Sequence, residues 1–450
     1  MALEPLKAGY VALGTEFYVP ENLRRLTAQA EAQLAEAGIE LARTDPVVAL
    51  GDEVRAVAEL KAGDWDFLIV NTMNWIDPRA ASRILYEFRD EPIVLYSYGG
   101  YTEGDTLISP AAGAGSTALR YPLERWGAKF RYLFHGPDMP MDTENIVKFG
   151  RAAQVMKKLR YARLGLVGFN DMGLYTTGYN PTRLRGMIGP EVESIDMLQL
   201  DRKMDELDAD AVAAEVAKVT ANWEYPLGKP ADHVIERAVR MYMATVEFCE
   251  EKHFNAISYK CVEGIALCMN AVHSVPSSLV ASAGYPYVDE NDIGNLCAEL
   301  ILKWLSGKTV AFIEHYEHHP EWILLGVDGY MPDQLTDGNP QVKDISTVLL
   351  DGIALCSKMK TGRMTLACLS EDDEGYRMHI VSGEGREPPQ WVEMGVPLPS
   401  WPSVKFYPDG TVRSILDHVQ SQHFAAVFGD YVDELIELCY LLDIKPILDV

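Results

Sequence analysis

The sequence predicts an α/β protein in three parts: two Rossmann-like αβα domains with parallel sheets, then a C-terminal antiparallel domain of β-barrel type. Three observations carry this. Up to about residue 155, short apolar strand-like runs alternate with Ala/Leu/Glu-rich helical runs, the βα pattern of a parallel sheet. The alternation restarts at Ala162–Phe169, after a helix expected over Glu144–Leu159. From Val310 strand-like runs follow one another across turns such as Glu384-Gly385 and Asp409-Gly410, with little helix between them. At 450 residues the chain exceeds one ordinary core. We expect domains over 1–158, 159–309 and 310–450.

In the first domain the predicted elements are a strand at Ala8–Leu13, a helix at Glu21–Gly38, an extended run at Ile39–Val47 and a helix at Gly51–Ala62. Strands follow at Asp66–Val70 and Pro92–Tyr96. The first opens into Asn71–Trp75; the second empties into a glycine-rich stretch without GxGxxG or Walker spacing, a weak phosphate signal. In the second domain we expect a loop at Asn170–Tyr179, a helix at Asn180–Ile188 begun by an Asn-Pro pair, a strand at Val192–Met197 and one acidic helix at Asp201–Val219. A helix at His233–Lys252 and a strand at Phe254–Cys261 come next. The last part should hold strands at Val310–Ile313, Trp322–Gly326, Arg363–Leu369, Tyr376–Glu384, Val392–Val396 and Val404–Phe406, then an apolar strand from Gln422 and a helix at Val432–Leu442.

Composition narrows the function classes. Forty basic residues against 66 acidic ones leave a net charge of −26, which repels polyanions and argues against nucleic-acid or anionic-membrane partners. Seven cysteines without a CxxC read as buried thiols of a reducing compartment, and the N-terminal stretch lacks a signal-peptide pattern, so a cytoplasmic protein is expected.

The chemistry concentrates around Ala281–Gly307. A Gly/Pro-rich turn runs into Val288-Asp289-Glu290-Asn291-Asp292, and from Ile293 apolar residues recur at three- and four-residue steps until Gly307 stops the helix. Acids at a helix start are ordinarily caps. Glu290 and Asp292, two positions apart, point in different directions, so one can cap while the other faces a cleft. A second acid, Glu263, follows the strand Phe254–Cys261, and the carboxyl ends of strands are where such sheets bind ligands. His423, at the mouth of an apolar strand, is the candidate third ligand. His315, His318 and His319 lie among Glu314, Glu317 and Glu321 and read as a solvated loop.

Several segments in this order resemble the L-fucose/L-arabinose isomerase superfamily. They are Ala162–Gly168, Leu184-Arg185-Gly186 with Val192–Asp196, Lys260-Cys261-Val262-Glu263, Glu290-Asn291-Asp292, Leu305-Ser306-Gly307, Thr361–Leu366, and Gln422-His423 with Gly429-Asp430. The resemblance implies a metal-dependent aldose-ketose isomerase with an Mn²⁺-type site, Mg²⁺ or Co²⁺ being alternatives. Carried over, Glu263, Asp292 and His423 would bind the metal, with Glu290 as the competing acid. Glu263 and Asp292 would also shuttle the proton, and Gln422 and Glu290 would face the sugar. Family members are commonly hexamers in which the first domain completes a neighbour's site, a part that would suit Trp75. Two features depart from the pattern: a His-Cys-Gly segment of related proteins reads Val327-Asp328-Gly329 here, and the chain is shorter than L-fucose isomerases.

The expected reaction passes a proton between C1 and C2 of an aldopentose, 6-deoxyhexose or C6-modified hexose through a cis-enediol. The alternatives are an inactive sugar-binding or regulatory relative, or another metal-assisted reaction such as epimerisation or dehydration.

Overall fold

A computed structural model describes residues 3–15, 20–347, 350–396 and 398–450. The chain forms two compact units, one of Glu4–Lys158 with Asp433–Leu442, the other of Leu159–Val432 with Asp443–Val450.

The first unit is built on a parallel sheet of five strands, in the spatial order Ile39–Arg43, Leu6–Leu13, Phe67–Thr72, Ile93–Ser97, Phe130–Phe134. The strand runs Phe67–Thr72 and Ile93–Ser97 are buried throughout, as strands covered on both faces must be. Helix Val432–Leu442 returns to this unit, where Glu437 pairs with Arg131 at 2.8 Å. The glycine-rich stretch, read as a loop, holds a small hairpin (Tyr101–Glu103 with Thr106–Ile108) and then helix Ala112–Arg125.

The second unit repeats the strand order on a smaller scale: Glu191–Ile195, Arg163–Val167, Ala256–Tyr259, Tyr287–Val288, all parallel. The expected single acidic helix is two, Met197–Glu206 and Ala209–Val219, because Asp208 accepts the backbone N–H groups of Asp210 and Ala211 and starts a new one.

In the same unit six strands close on themselves. In spatial order they are Gly362–Glu371, His423–Phe428, Ala311–His318, Ile323–Gly326, Ser403–Pro408 and Tyr376–Arg386, whose pairing with Gly362–Glu371 completes the circle. Every pairing is antiparallel, so the predicted fold class is borne out. Strand Lys445–Asp449, not anticipated from sequence, adds in parallel outside the circle. Val392–Val396 forms no strand. Helix Ile293–Ser306 packs on the barrel close to strand Gly362–Glu371, where a side chain at Gly294 would collide with the Leu369 carbonyl oxygen. That approach brings the acids before the helix to the barrel wall.

Among the described residues no helix is long and apolar enough to cross a membrane. All seven cysteines are unpaired, six of them buried and Cys268 exposed.

Candidate active site

Loops at the carboxyl ends of three of the second sheet's strands supply Asp171, Glu263 and Asp289–Asp292, and the last of these meets one wall of the barrel. The decisive turn is Asp289–Asp292. Glu290 (φ 60°) and Asn291 (φ 55°) are both left-handed, a conformation that costs a non-glycine residue about 1 kcal/mol or more. Buried bonds hold the turn. The Asn291 N–H donates to the Tyr259 carbonyl at 3.1 Å, and its amide donates to the carbonyls of Phe169 (2.7 Å) and Val167 (3.3 Å). The result separates two neighbouring acids. Asp292 caps helix Ile293–Ser306 through the Asn295 N–H at 3.0 Å, while Glu290 turns to the barrel.

On the barrel side, Glu314 and His423 stand directly opposite each other on paired strands, so their side chains share a face. His423 is fully buried, and its two ring nitrogens have different surroundings. Nδ1 lies 3.0 Å from Asp292 Oδ2, an oxygen that also accepts from Asn295 (2.7 Å) and Ser421 (3.2 Å). Nε2 lies 3.4 Å from Glu290 and 3.2 Å from Glu314. Both separations are within ion-pair reach, yet among the described residues Nε2 has no partner with hydrogen-bond geometry. One oxygen from each glutamate and this nitrogen lie within 4.8 Å of one another. Gln422 donates to Glu290 at 2.8 Å.

The electrostatics follow from crowding acids where water is scarce. Burial pushes the Glu290 carboxyl up to about 7, His423 opposes this, and the neighbouring acids Asp289, Glu314 and Asp171 add to it. Burial disfavours charge on His423, but the carboxylates of Asp292 and Glu314 outweigh it and hold its pKa well above the ordinary value. Behind the site, His273 lies 3.0 Å from Asp289; burial opposes its protonation, yet Asp289 lifts it to about 9. Asp328 lies within electrostatic reach of His273, Asp289, Glu314 and Glu393, and enclosure pushes its carboxyl up to about 8.

Not every sequence-derived candidate joins this group. Glu290, Asp292, Gln422 and His423 converge. Glu263 sits on a wide π-type turn, Cys261–Ala266, with its carboxylate half exposed and 2.7 Å from Lys260, which lowers its pKa. It remains linked to the group through Asp171, whose buried carboxylate accepts the N–H groups of Val262 (2.8 Å) and Glu263 (2.9 Å). Trp75 belongs to the other unit, where its side chain is exposed and its backbone N–H donates to the Pro110 carbonyl at 3.0 Å. Two participants escaped sequence reading. Asp171 lies in the Asn170–Tyr179 loop, where the strand-end argument used for Glu263 applies equally. Glu314 was placed in a solvated loop with His315 and His318, but strand Ala311–His318 extends through all three. His315 is largely enclosed, and burial lowers its pKa to about 4; His319 stacks on Trp322.

The donor set suits a hard divalent cation: two carboxylates with an imidazole whose free nitrogen faces them and whose other nitrogen is fixed by a carboxylate.

No protein-family model matches the chain. Its similarity to curated proteins is long but distant. The chain is 21% identical over 379 residues to a protein named sulfoquinovose isomerase from Alkalicoccus urumqiensis, with 80% of each chain covered. It is 20% identical over 405 residues to proteins of the same name from Priestia aryabhattai and Priestia megaterium, with 86% of each chain covered. This bears out the expectation of an isomerase. The likeness runs through both units rather than through one of them.

Proposed function

We propose that the chain is a metal-dependent aldose-ketose isomerase of the L-fucose isomerase type, acting on a hexose with an anionic group at C6. The observation that carries the reading is His423 Nε2, buried between two glutamates without an aligned hydrogen bond. A cation held there would replace the missing partner and offset the excess negative charge. The relatives' name, which refers to a sulfonated sugar, supports the anionic group.

In this reading Glu290, Glu314 and His423 hold the ion, with Mn²⁺ the first choice. When bound, it supplies Lewis-acid stabilisation of charge on the sugar's O1 and O2. Asp292 holds the imidazole: its oxygens are engaged by Asn295, Ser421 and His423, which leaves it a positioning residue. Glu263 takes the proton from C2 and returns it to C1 after leaving Lys260, its backbone being fixed by Asp171. Gln422, anchored to Glu290, faces the sugar hydroxyls. A homo-oligomer, a hexamer in the first instance, would let Trp75 complete a neighbour's site.

Incubation of sulfoquinovose with the protein and Mn²⁺ in D₂O tests this. The expected result is ketose formation with deuterium entering at the carbon vicinal to the carbonyl, lost on chelation. Glu263→Gln should fold normally and lose turnover. Full activity in that variant, or in metal-free protein, would rule the mechanism out.

A further inference from the structure

The strand that carries His423 has a second histidine group against its other face. His423 and Phe424 are consecutive, so their side chains leave opposite faces of the strand. His423 faces Glu290 and Glu314, whereas the Phe424 ring packs on His379 with centroids 5.3 Å apart. There, His379 Nε2 lies 2.7 Å from Asp449 Oδ2, and His418 Nδ1 lies 2.9 Å from the same oxygen. The ligand atoms of all three lie within 4.8 Å of one another.

Three separate elements supply these groups: barrel strand Tyr376–Arg386, helix Val412–His418 and the added strand Lys445–Asp449. Parallel pairing sets His379 against Ile447 and Val381 against Asp449, so the terminal strand's register delivers the carboxylate to the imidazole. His379 and Asp449 are almost sealed, but the His418 side chain is 42% exposed, which leaves one side of the cluster open to water. Burial, with His418 and Arg377 adding to it, outweighs Asp449 and keeps His379 below the ordinary imidazole range.

We propose that His379, His418 and Asp449 form a structural site for a borderline divalent ion, Zn²⁺ in preference to Mn²⁺, separate from the candidate active site. Two imidazoles, one carboxylate and a water on the open side make the four-coordinate N/O set that zinc accepts, whereas a hard ion favours a carboxylate-rich shell. The ion would tie the terminal strand and the short helix to the barrel.

The test uses the full-length chain carrying Glu290→Gln, which disables the other site, dialysed against chelator and titrated with Zn²⁺ alone. One Zn²⁺ per chain is expected, with a rise in the thermal midpoint of roughly 3 °C at saturation. Adding His418→Ala, at a half-exposed position, should abolish both, with circular dichroism confirming the fold. Co²⁺ in place of Zn²⁺ should give the visible absorption of a four-coordinate site, lost in the same variant. Equal Zn²⁺ content with and without His418, or no bound Zn²⁺, would overturn the proposal and leave a hydrogen-bonded triad. The outcome is independent of turnover: a chain inactive on every sugar but binding Zn²⁺ through His418 would sink the isomerase reading and keep this one.

Discussion

Two clusters of histidine and carboxylate lie on opposite faces of one barrel strand, and they are built differently. At Glu290, Glu314 and His423, acids outnumber the imidazole, two successive non-glycine residues are left-handed, and the inward ring nitrogen has no aligned partner. At His379, His418 and Asp449, two imidazoles share one carboxylate oxygen within ordinary strands and a short helix. The first arrangement stores strain and charge that a ligand can relieve. The second carries no excess of acid and no left-handed turn, although His379 Nδ1 also lacks a hydrogen-bond partner among the described residues. Chemistry needs a site that gains strongly from what it binds, and a structural tie does not.

The largest effect that would sharpen the contrast is on turnover. Glu290→Gln or His423→Gln should lower kcat/KM by about 10³-fold or more with the fold retained, whereas His418→Ala should change it by less than about twofold. Comparable losses on both faces of the strand would break the distinction. Next comes the residue that orients the imidazole. Asp292→Asn should weaken Mn²⁺ binding by roughly 10- to 100-fold while Mn²⁺ excess restores much of the rate, measured by metal titration of activity.

Protons should compete with the cation at the first cluster. Glu290 is raised to about 7 and His423 is raised as well, so the metal-free folded state binds more protons than the unfolded chain. Metal-free stability should therefore fall as pH rises from about 4.5 through 7 and onward. Mn²⁺ binds the deprotonated groups, so its thermal shift should grow between pH 5 and 8; a shift independent of pH would contradict the assigned ligands. The second cluster has the opposite sign. Burial raises the Asp449 carboxyl, but hydrogen bonds from Ser414, His418 and His379 outweigh it and leave its pKa lowered. Its contribution is present above the unfolded carboxylate pKa and fades as pH falls. The smallest effect is expected there: Asp449→Asn should cost about 1–3 kcal/mol in denaturant unfolding with activity retained.

How much of this was legible varies with the range of the interaction involved. The strand-end rule drew attention to Glu263 and to the Glu290–Asp292 triplet, and the apolar run after Gln422 to His423. Glu314 was hidden because the apolar run Val310–Ile313 stops at it and charged residues follow, so the strand looked finished; pairing with the strand at His423 reaches Glu314, and only pairing with Ile323–Gly326 extends it to His318. Asp171 was hidden in a loop whose glycines gave no spacing signal, although its strand pointed the same way. Strand Lys445–Asp449 and helix Val412–His418, too short for a clear period, were missed, and with them the second cluster.

By itself the sequence determined the alternation of elements, the closed antiparallel segment and the placing of acids at strand ends, because hydrophobic period and turn residues act over a few positions. Only the tertiary structure decided that Asp292 caps and steadies the imidazole while Glu290 and Glu314 face its free nitrogen. That choice depends on two left-handed residues and on the register of strands more than a hundred positions apart, and neither leaves a local pattern.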